Sequence, residues 1–315
     1  MSESSRIFVI GSLNADLVQN VPRLPRGGET LQGDSLRTFA GGKGGNQAFA
    51  AARMGGRVSM IGQVGNDSFG ALLIESLRSA GVDTAKIAVA EGSSGTAMIL
   101  VLPNGENAIV ISPGANATLT PREAAPRLAD LTSGSLLLCQ LEIPLETVAQ
   151  SLAAAKRKAA TTILDPAPAN AACLAMLRDV DFLTPNETEA LQLLGRDGPI
   201  HDDSEALQVA RQLQQRGAAT VVLKLGSRGC CIVNREISTV VSSFEVSAVD
   251  TTAAGDTFNG AFACALEQKK SILEAARFAN AAGALAVTRP GAQSSVPSRE
   301  EVEQFLERMS APSLR

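Results

Sequence analysis

The chain has no tryptophan, no tyrosine, a single histidine and five cysteines among its 315 residues. One histidine, His201, excludes a metal site of several histidines and a catalytic triad centred on histidine, and its polar surroundings predict a surface loop. No two cysteines lie at the CxxC spacing of zinc sites, so we expect buried free thiols and no disulfide framework. Without tryptophan and tyrosine, a small polar ligand would have to be held mainly by hydrogen bonds.

Long apolar runs are also missing. No segment approaches the roughly 20 apolar residues that a membrane helix needs, and the polar start of the chain, residues 1–5, does not resemble a secretory signal. A net charge of -4 argues against binding to nucleic acid or to an anionic membrane surface. We therefore expect a cytoplasmic protein, and 45% hydrophobic residues are enough for a large core.

Short apolar runs alternate with helical patterns from about Gly134 onward. This alternation predicts parallel strands joined by helices on both faces, so the predicted fold class is α/β. In such sheets ligands bind beyond the carboxyl ends of the strands. The predicted strands are 7–10, 136–139, 161–164, 181–183 and 221–223, and the clearest helices are 145–158 and 205–216.

The first third of the chain has a different pattern, in which apolar and polar residues alternate with a period of two. This pattern predicts strands with one solvated face, in a small sheet that projects from the main body. Asn104 and Gly105 between the last two segments indicate a hairpin turn. The segments concerned are 16–21, 29–39, 96–102 and 107–111.

Small residues lead directly into a helical pattern at 250–260, a segment that reads VDTTAAGDTFNG from position 249. Free N–H groups at the start of a helix form an anion site, and alanine and glycine let a phosphate come close to the backbone. Asp256 would lie in the first turn of this helix. An acidic residue there also stabilises a helix without any further role, but Asp250 and two threonines just upstream favour a functional reading.

A glycine-rich segment at 39–48 surrounds Lys43 and Asn46 and leads into a predicted helix at 48–53. It has neither the spacing of a Walker phosphate loop nor, because Gln47 occupies the third glycine position, that of a dinucleotide fingerprint. The alternatives are a flexible turn and a close approach of the backbone to a ligand, and four glycines favour the second.

Asn14 and Asp16 follow the first predicted strand at once. At the end of a strand in an α/β sheet, two such side chains can bind adjacent hydroxyl groups of a ligand. Either residue alone could also be a turn former.

Taken together, these segments resemble the ribokinase family of ATP-dependent carbohydrate kinases. The resemblance runs in the family's order from Val9 to about Leu306. It implies one three-layer domain over 1–315 with a mainly parallel central sheet, and a projecting lid sheet inserted at about 12–42 and 94–112. The segments that carry it are 11–16, 41–48, 140–142, 184–189, 225–229, 250–260 and 288–292.

The resemblance implies transfer of a phosphoryl group from ATP to the 5-hydroxyl of D-ribose. Asp256 would be the general base, and the N–H groups of Ala253, Ala254, Gly255 and Asp256 the anion hole. The residues implied to hold the sugar are Asn14, Asp16, Gly42, Lys43, Asn46 and Glu142. Those implied along the nucleotide are Asn186, Lys224, Gly226, Ser227, Gly229, Gly255 and Asn280.

The resemblance also implies two metal ions and a partner. Mg²⁺ would be held near Asn186 and Glu189 through water. K⁺ would activate the enzyme, and the projecting sheet would pair with a second copy in a homodimer. The positions that match the family's potassium site are Asp250, Thr252, Ala286, Arg289, Gly291 and Ser295.

Some positions depart from the residues common in the family. Gly45 adds backbone freedom, Asp165 and Thr184 are expected to be peripheral to the chemistry, and the role of Lys224 is open. The alternative functions are a kinase for deoxyribose, fructose, 2-keto-3-deoxygluconate or a nucleoside, and a sensor that binds sugar without turnover. Only ten phenylalanines are available to stack on a base, which disfavours a nucleoside, and Asp256 disfavours a sensor, which needs no base.

Overall fold

The computed structural model describes residues 7–310 of the chain. The segment at 1–5, on which the expectation about a secretory signal depended, lies outside them. The strands are β1 (Ile7–Ile10), β2 (Asn14–Asn20), β3 (Arg37–Gly41), β4 (Val58–Gly65), β5 (Ile87–Ala90), β6 (Gly95–Val101), β7 (Asn107–Ser112), β8 (Leu136–Cys139), β9 (Thr161–Leu164), β10 (Phe182–Leu183), β11 (Thr220–Lys224), β12 (Gly229–Val233) and β13 (Ser238–Ser242). The α-helices are α1 (Lys43–Arg53), α2 (Ser68–Ser79), α3 (Pro121–Arg127), α4 (Leu145–Arg157), α5 (Glu187–Leu193), α6 (Asp203–Gln215), α7 (Ala254–Glu267), α8 (Ile272–Ala286) and α9 (Arg299–Ser310).

Nine strands form the central sheet, in the order β13-β12-β11-β10-β9-β8-β1-β4-β5. The strands from β11 to β5 in this order are parallel, whereas β12 and β13 run antiparallel to their neighbours. Alternate residues of β1 pack on opposite sides: Ile7 and Val9 contact the layer of α1, α2, α7, α8 and α9, and Phe8 and Ile10 the layer of α3 to α6. The predicted α/β fold with helices on both faces is confirmed.

Four strands form a separate sheet, in the order β3-β2-β6-β7. The predicted hairpin is present, because β6 and β7 are antiparallel and Gly105 in their turn has a φ of 85°. The prediction of a strand over 29–39 was wrong for all but its last three residues. In the preceding loop the side chain of Asp34 accepts hydrogen bonds from Asn20, and Glu29 pairs with Arg23, so local side-chain contacts replace the strand ladder.

The first turn of α1 contains the glycine-rich segment. The helix begins at Lys43, five residues earlier than predicted, after Gly42 with a φ of 81°. A Cβ on Gly44 would lie 2.7 Å from the backbone of Gly11, so only glycine lets this turn lie directly on the segment after β1. Similarly, a Cβ on Gly260 of α7 would lie 2.7 Å from the carbonyl oxygen of Gln47. Close packing of α1 on α7 therefore brings Gln47 to Asp256.

The predicted environments of the cysteines and of the histidine are confirmed. All five cysteines are buried with free thiols, and His201 is exposed in the loop before α6. Within residues 7–310 no helix combines the length and the apolar character needed to cross a bilayer.

Candidate active site

The site lies at the carboxyl edge of the central sheet, where α7 begins. Ala253 precedes the helix in a left-handed conformation with a φ of 55°, and its carbonyl accepts the N–H of Thr257 at 2.8 Å. The N–H of Ala254 donates to Thr251 over a long 3.3 Å. Gly255 and Asp256 are in the first turn, where N–H groups have no partner within the helix. Of the four amides predicted for the anion site, those of Gly255 and Asp256 are in this position.

Asp256 is buried, with 7% of its surface exposed. Asn46 donates to Oδ2 over 3.0 Å, and Gln47 donates to Oδ1 over 2.9 Å. Burial raises the pKa of Asp256 above its ordinary value, and the positive charge of Lys43 and the two hydrogen bonds partly offset this. A carboxylate with a raised pKa and a fixed orientation is suited to accept a proton.

Gln47 connects Asp256 to Asp165, a residue expected to be peripheral. That expectation was wrong, because Nε2 of Gln47 donates to Oδ2 of Asp165 over 2.8 Å as well as to Asp256. The other oxygen of Asp165 accepts from Nζ of Lys224 over 2.9 Å. Thr184, which was also expected to be peripheral, is fully buried, and its hydroxyl donates to the carbonyl oxygen of Leu164.

Most of the residues predicted to hold a sugar surround the segment after β1. Asn14 accepts a hydrogen bond from Asn116 over 2.7 Å, so its own amide group stays available. A Cβ on Gly42 would lie 2.7 Å from the backbone nitrogen of Asn14, which explains the glycine there. The backbone N–H of Lys43 donates to Glu142 over 3.2 Å.

Acidic groups crowd this part of the site. The pKa of Asp16 is raised to about 7 by burial and by the charges of Glu142 and Asp256. Burial by itself would lower the pKa of Lys43, but the carboxylates of Asp256, Asp165, Glu142 and Glu189 raise it above its ordinary value. Lys43 is therefore held as a cation among the carboxylates, and the excess of acceptors suits a ligand rich in hydroxyl groups.

A cavity of about 680 Å³ opens beside the first turn of α7. Six of the residues predicted to bind the nucleotide line it, four of them between the end of β11 and the start of β12, one in α7 and one in α8. Its apolar wall was missed by sequence reasoning, because isolated apolar residues give no signal of a ligand. The predicted residues are Lys224, Gly226, Ser227, Gly229, Gly255 and Asn280, and the wall includes Phe244, Val246, Phe258, Ala284 and Val287.

Asn186 is not in the lining of this cavity. Its side chain caps α5 by accepting the N–H of Glu189 over 2.8 Å, and Glu189 Oε2 accepts the N–H of Asn186 over 2.8 Å. Burial and the charge of Asp165 raise the pKa of Glu189. Glu189 still has its second carboxylate oxygen, so the pair can contact a hydrated cation while it caps the helix.

The positions predicted for K⁺ join the segment before α7 to the segment after α8. Asp250 accepts the N–H of Thr252 over 2.9 Å and that of Gly291 over 2.8 Å. The carbonyl oxygen of Ala286 accepts the N–H of Arg289 over 3.1 Å, and the guanidinium of Arg289 pairs with Glu301. Ser295 is buried and donates to the carbonyl of Ala292 at 2.8 Å.

A buried carboxylate in the first turn of a helix, near a group of hydrogen-bond acceptors and beside a cavity, is the arrangement of an enzyme that transfers an anionic group to a hydroxyl. The model of the pfkB family of carbohydrate kinases matches residues 4–299. The chain therefore belongs to the pfkB family of carbohydrate kinases, and it is an ATP-dependent carbohydrate kinase. The resemblance on which the sequence prediction rested is confirmed.

Individual relatives cover nearly the whole chain. A ribokinase of Haemophilus influenzae is 42% identical over 96% of this chain and 98% of its own length. A deoxyribokinase of Salmonella typhi is 37% identical over 95% of this chain and 98% of its own length. The structure of a ribokinase of Arabidopsis thaliana complexed with ribose and ATP is 33% identical, with a TM-score of 0.86 over 96% of this chain and 98% of that one.

Proposed function

We propose that the chain phosphorylates D-ribose at its 5-hydroxyl with ATP. The observation that carries this proposal is the buried carboxylate of Asp256, held by Asn46 and Gln47 next to Gly255, which lines the cavity. The sugar hydroxyl oxygen attacks the γ-phosphorus, the bond from that phosphorus to the β,γ-bridging oxygen breaks, and the hydroxyl proton moves to Asp256. The products are ribose 5-phosphate and ADP.

The chain's own residues supply positioning and charge stabilisation for this transfer. The sugar hydroxyls form hydrogen bonds with the side chains of Asn14, Asp16 and Glu142. The rest of the sugar pocket is formed by Lys43, Asn46 and the backbone at Gly42. The amides of Gly255 and Asp256 stabilise the charge on the transferring group. The nucleotide lies in the cavity along Lys224, Gly226, Ser227, Gly229 and Asn280.

Mg²⁺ would neutralise charge on the phosphates. No cluster of three metal-ligating side chains occurs within residues 7–310, so direct coordination by the protein alone does not fit. Mg²⁺ commonly keeps several waters and binds substrate phosphates with one or two carboxylates. Asn186 and Glu189 fit that mode, since each keeps polar atoms outside the capping box.

The projecting sheet is the proposed dimer surface. Its edge strand β7 exposes three consecutive apolar side chains, Ile109, Val110 and Ile111, of which Val110 is 69% exposed. An unpaired edge with such residues favours pairing with another chain. A monomeric mass by light scattering at assay concentration would refute the dimer.

Deoxyribose is the second candidate substrate, and the similarity to a deoxyribokinase supports it. The first experiment measures ADP release on ribose, deoxyribose, fructose, 2-keto-3-deoxygluconate and adenosine, for the wild type and Asp256→Asn. We expect the highest kcat/KM on ribose and a loss of about 10²–10⁴-fold in the variant. Asp197→Asn, at an exposed position, is the matched control. Faster turnover of another sugar would correct the substrate, and sugar binding without any turnover would favour the sensor.

A further inference from the structure

Asp165 and Lys224 form an ion pair at the carboxyl edge of the sheet. Nζ of Lys224 lies 2.9 Å from Oδ1 of Asp165, and the two side chains are only 12% and 2% exposed. Charges this deep are poorly hydrated, so loss of either partner leaves the other unpaired at a cost. Neither residue exchanges a proton in the transfer described above.

Lys224 also faces the cavity. It is part of the cavity lining, and its Nζ lies 3.5 Å from the position that a Cβ on Gly255 would occupy. A lysine ammonium has three N–H donors, and Asp165 takes one of them. Two donors therefore remain beside the first turn of α7, where the amides of Gly255 and Asp256 also lack helical partners.

Asp165 is linked to the base through Gln47. The two hydrogens of Nε2 go to Asp165 over 2.8 Å and to Asp256 over 2.9 Å. Oε1 of Gln47 accepts from Gln140 over 2.6 Å, which fixes the amide so that its nitrogen faces the two carboxylates. The ion pair thus touches the cavity on one side and the hydrogen-bonded carboxylate of Asp256 on the other.

We propose that Lys224 binds the phosphates of the nucleotide, and that Asp165 is a positioning residue that holds Lys224 against them and, through Gln47, orients Asp256. The inference rests on the proposed role of Asp256 but not on the identity of the sugar. Without Lys224, the negative charge of Asp165 would repel the phosphates. Without Asp165, Lys224 would lose its anchor. The two residues therefore act as one unit.

Nucleotide binding tests whether Lys224 binds the phosphates and whether Asp165 acts together with it. The dissociation constant of a non-hydrolysable ATP analogue is measured by calorimetry for Lys224→Met, Asp165→Asn and the double variant. We expect Lys224→Met to weaken binding by about 10- to 100-fold, and the double variant to bind at least about threefold more tightly than Lys224→Met. Unchanged binding in Lys224→Met, or losses that multiply in the double variant, would overturn the proposal.

The pH dependence of kcat/KM for the sugar tests the link to Asp256. The charges that act on Asp256 are those of Lys43 of α1 and of Asp165, and Asp256 in turn acts on Asp16 of β2. Glu142 and Glu189 act on Lys43, and Lys224 pairs with Asp165. Since the charge of Asp165 favours the protonated form of Asp256, Asp165→Asn should move the acidic limb to lower pH. Lys224→Met leaves that charge without its partner, so the limb should move to higher pH.

Opposite shifts of the acidic limb in the two variants separate this proposal from a purely structural role. A folding defect would lower the activity of each variant without moving its acidic limb. Lys270→Met, at an exposed position, is the matched control, and thermal melting checks that each variant is folded. Shifts in the same direction, or none, would overturn the link. Failure of the wild type to phosphorylate ribose would contradict only the proposed substrate, since the binding measurements need no sugar.

Discussion

The side-chain amide nitrogen of Gln47 lies 2.9 Å from Oδ1 of Asp256. Gln47 is fully buried, so its amide cannot exchange this contact for one with water. A hydrogen bond to the ionised carboxylate lowers the pKa that burial raises. Gln47 is therefore expected to set both the orientation of the carboxylate and the pH range in which it can accept a proton.

Replacing Gln47 with methionine keeps the length of the side chain and removes both donors. We expect kcat to fall by about 10- to 100-fold, and the acidic limb of the pH–rate profile to move to higher pH, since the pKa of Asp256 rises without the donor. Steady-state kinetics from pH 5 to pH 9 measures both. Gln215→Met, exposed at the end of α6, should change neither. An unaltered kcat in Gln47→Met would contradict this role.

The main sheet could be predicted because its strands are buried on both faces. The short runs 136–139 and 161–164 lie between helical patterns, which favours central strands, and their bounds agree with the structure. The strand over 29–39 could not be predicted correctly, because its alternating residues make contacts such as Asp34 with Asn20 that no periodicity shows. The early start of α1 was missed because glycines inside a helix are unfavourable unless close packing requires them.

At the candidate site, the sequence motifs named residues that the structure brings together, whereas contacts between separate elements were missed. Asn46 and Asp256, from segments with recognisable patterns, meet at 3.0 Å although they lie far apart in the chain. Gln47 was noted only as the residue that breaks a dinucleotide fingerprint. Asp165 and Lys224 lie at the ends of separate strands, and only the parallel packing of the sheet brings their charges together. Pairings of this kind have no local signal in the sequence.

Asp16 gives a prediction about the pH dependence of sugar binding. Its pKa is raised to about 7 by burial and by the charges of Glu142 and Asp256. The ionised carboxylate accepts hydrogen bonds from two hydroxyls, whereas the protonated form loses acceptor capacity. We expect sugar affinity, measured by calorimetry without nucleotide, to increase several-fold between pH 6 and pH 8. Asp16→Asn should remove this dependence and exposed Asp197→Asn should keep it, and a flat wild-type profile would speak against the role of Asp16.

The same raised pKa makes a prediction about stability without any ligand. The carboxyl group of Asp16 binds its proton more tightly in the folded chain, where its pKa is about 7, than in the unfolded chain, where its pKa has the ordinary value of 3.8. The folded state therefore holds more protons between these values, so the contribution of Asp16 to the free energy of unfolding falls as the pH rises through this window. Asp16→Asn should raise the melting temperature relative to wild type at pH 8 and leave it nearly unchanged at pH 4. If Asp16→Asn raised the melting temperature more at pH 4 than at pH 8, the raised pKa of Asp16 would be contradicted.

Gly41 leaves the space that Asp16 occupies. A Cβ at position 41 would lie 2.2 Å from Oδ2 of Asp16, closer than any real contact. Since Gly41→Ala must displace this carboxylate, we expect the KM for sugar to rise by about 5- to 100-fold, with a smaller change in kcat. Gly27→Ala is the matched control, because a Cβ at position 27 meets nothing within 4 Å. Equal KM values for the two variants would show that the position of Asp16 does not matter for the sugar.

Asp250 leads to the prediction about K⁺. Burial by itself would raise the pKa of Asp250, but the N–H groups of Gly291 and Thr252 hold it below its ordinary value, so the group stays ionised. Backbone carbonyls and one carboxylate are suitable ligands for a hard cation. A cation bound there would fix the segment that leads to Ala253 and the anion-binding amides. We expect kcat to be several-fold higher in potassium chloride than in tetramethylammonium chloride at equal ionic strength.

Asp250→Asn separates activation by a bound ion from a general effect of salt. The variant keeps an oxygen that can accept one of the two N–H groups but lacks the charge that attracts a cation. Its kcat should be low and similar in both salts, whereas Asp197→Asn should retain the wild-type ratio. The ratio of kcat in potassium chloride to kcat in tetramethylammonium chloride tests the role of the bound ion, whereas the absolute rate does not. A loop disturbed by the substitution would slow turnover equally in both salts. A wild-type ratio near one would remove K⁺ from the proposed mechanism and leave the remaining roles of the site intact.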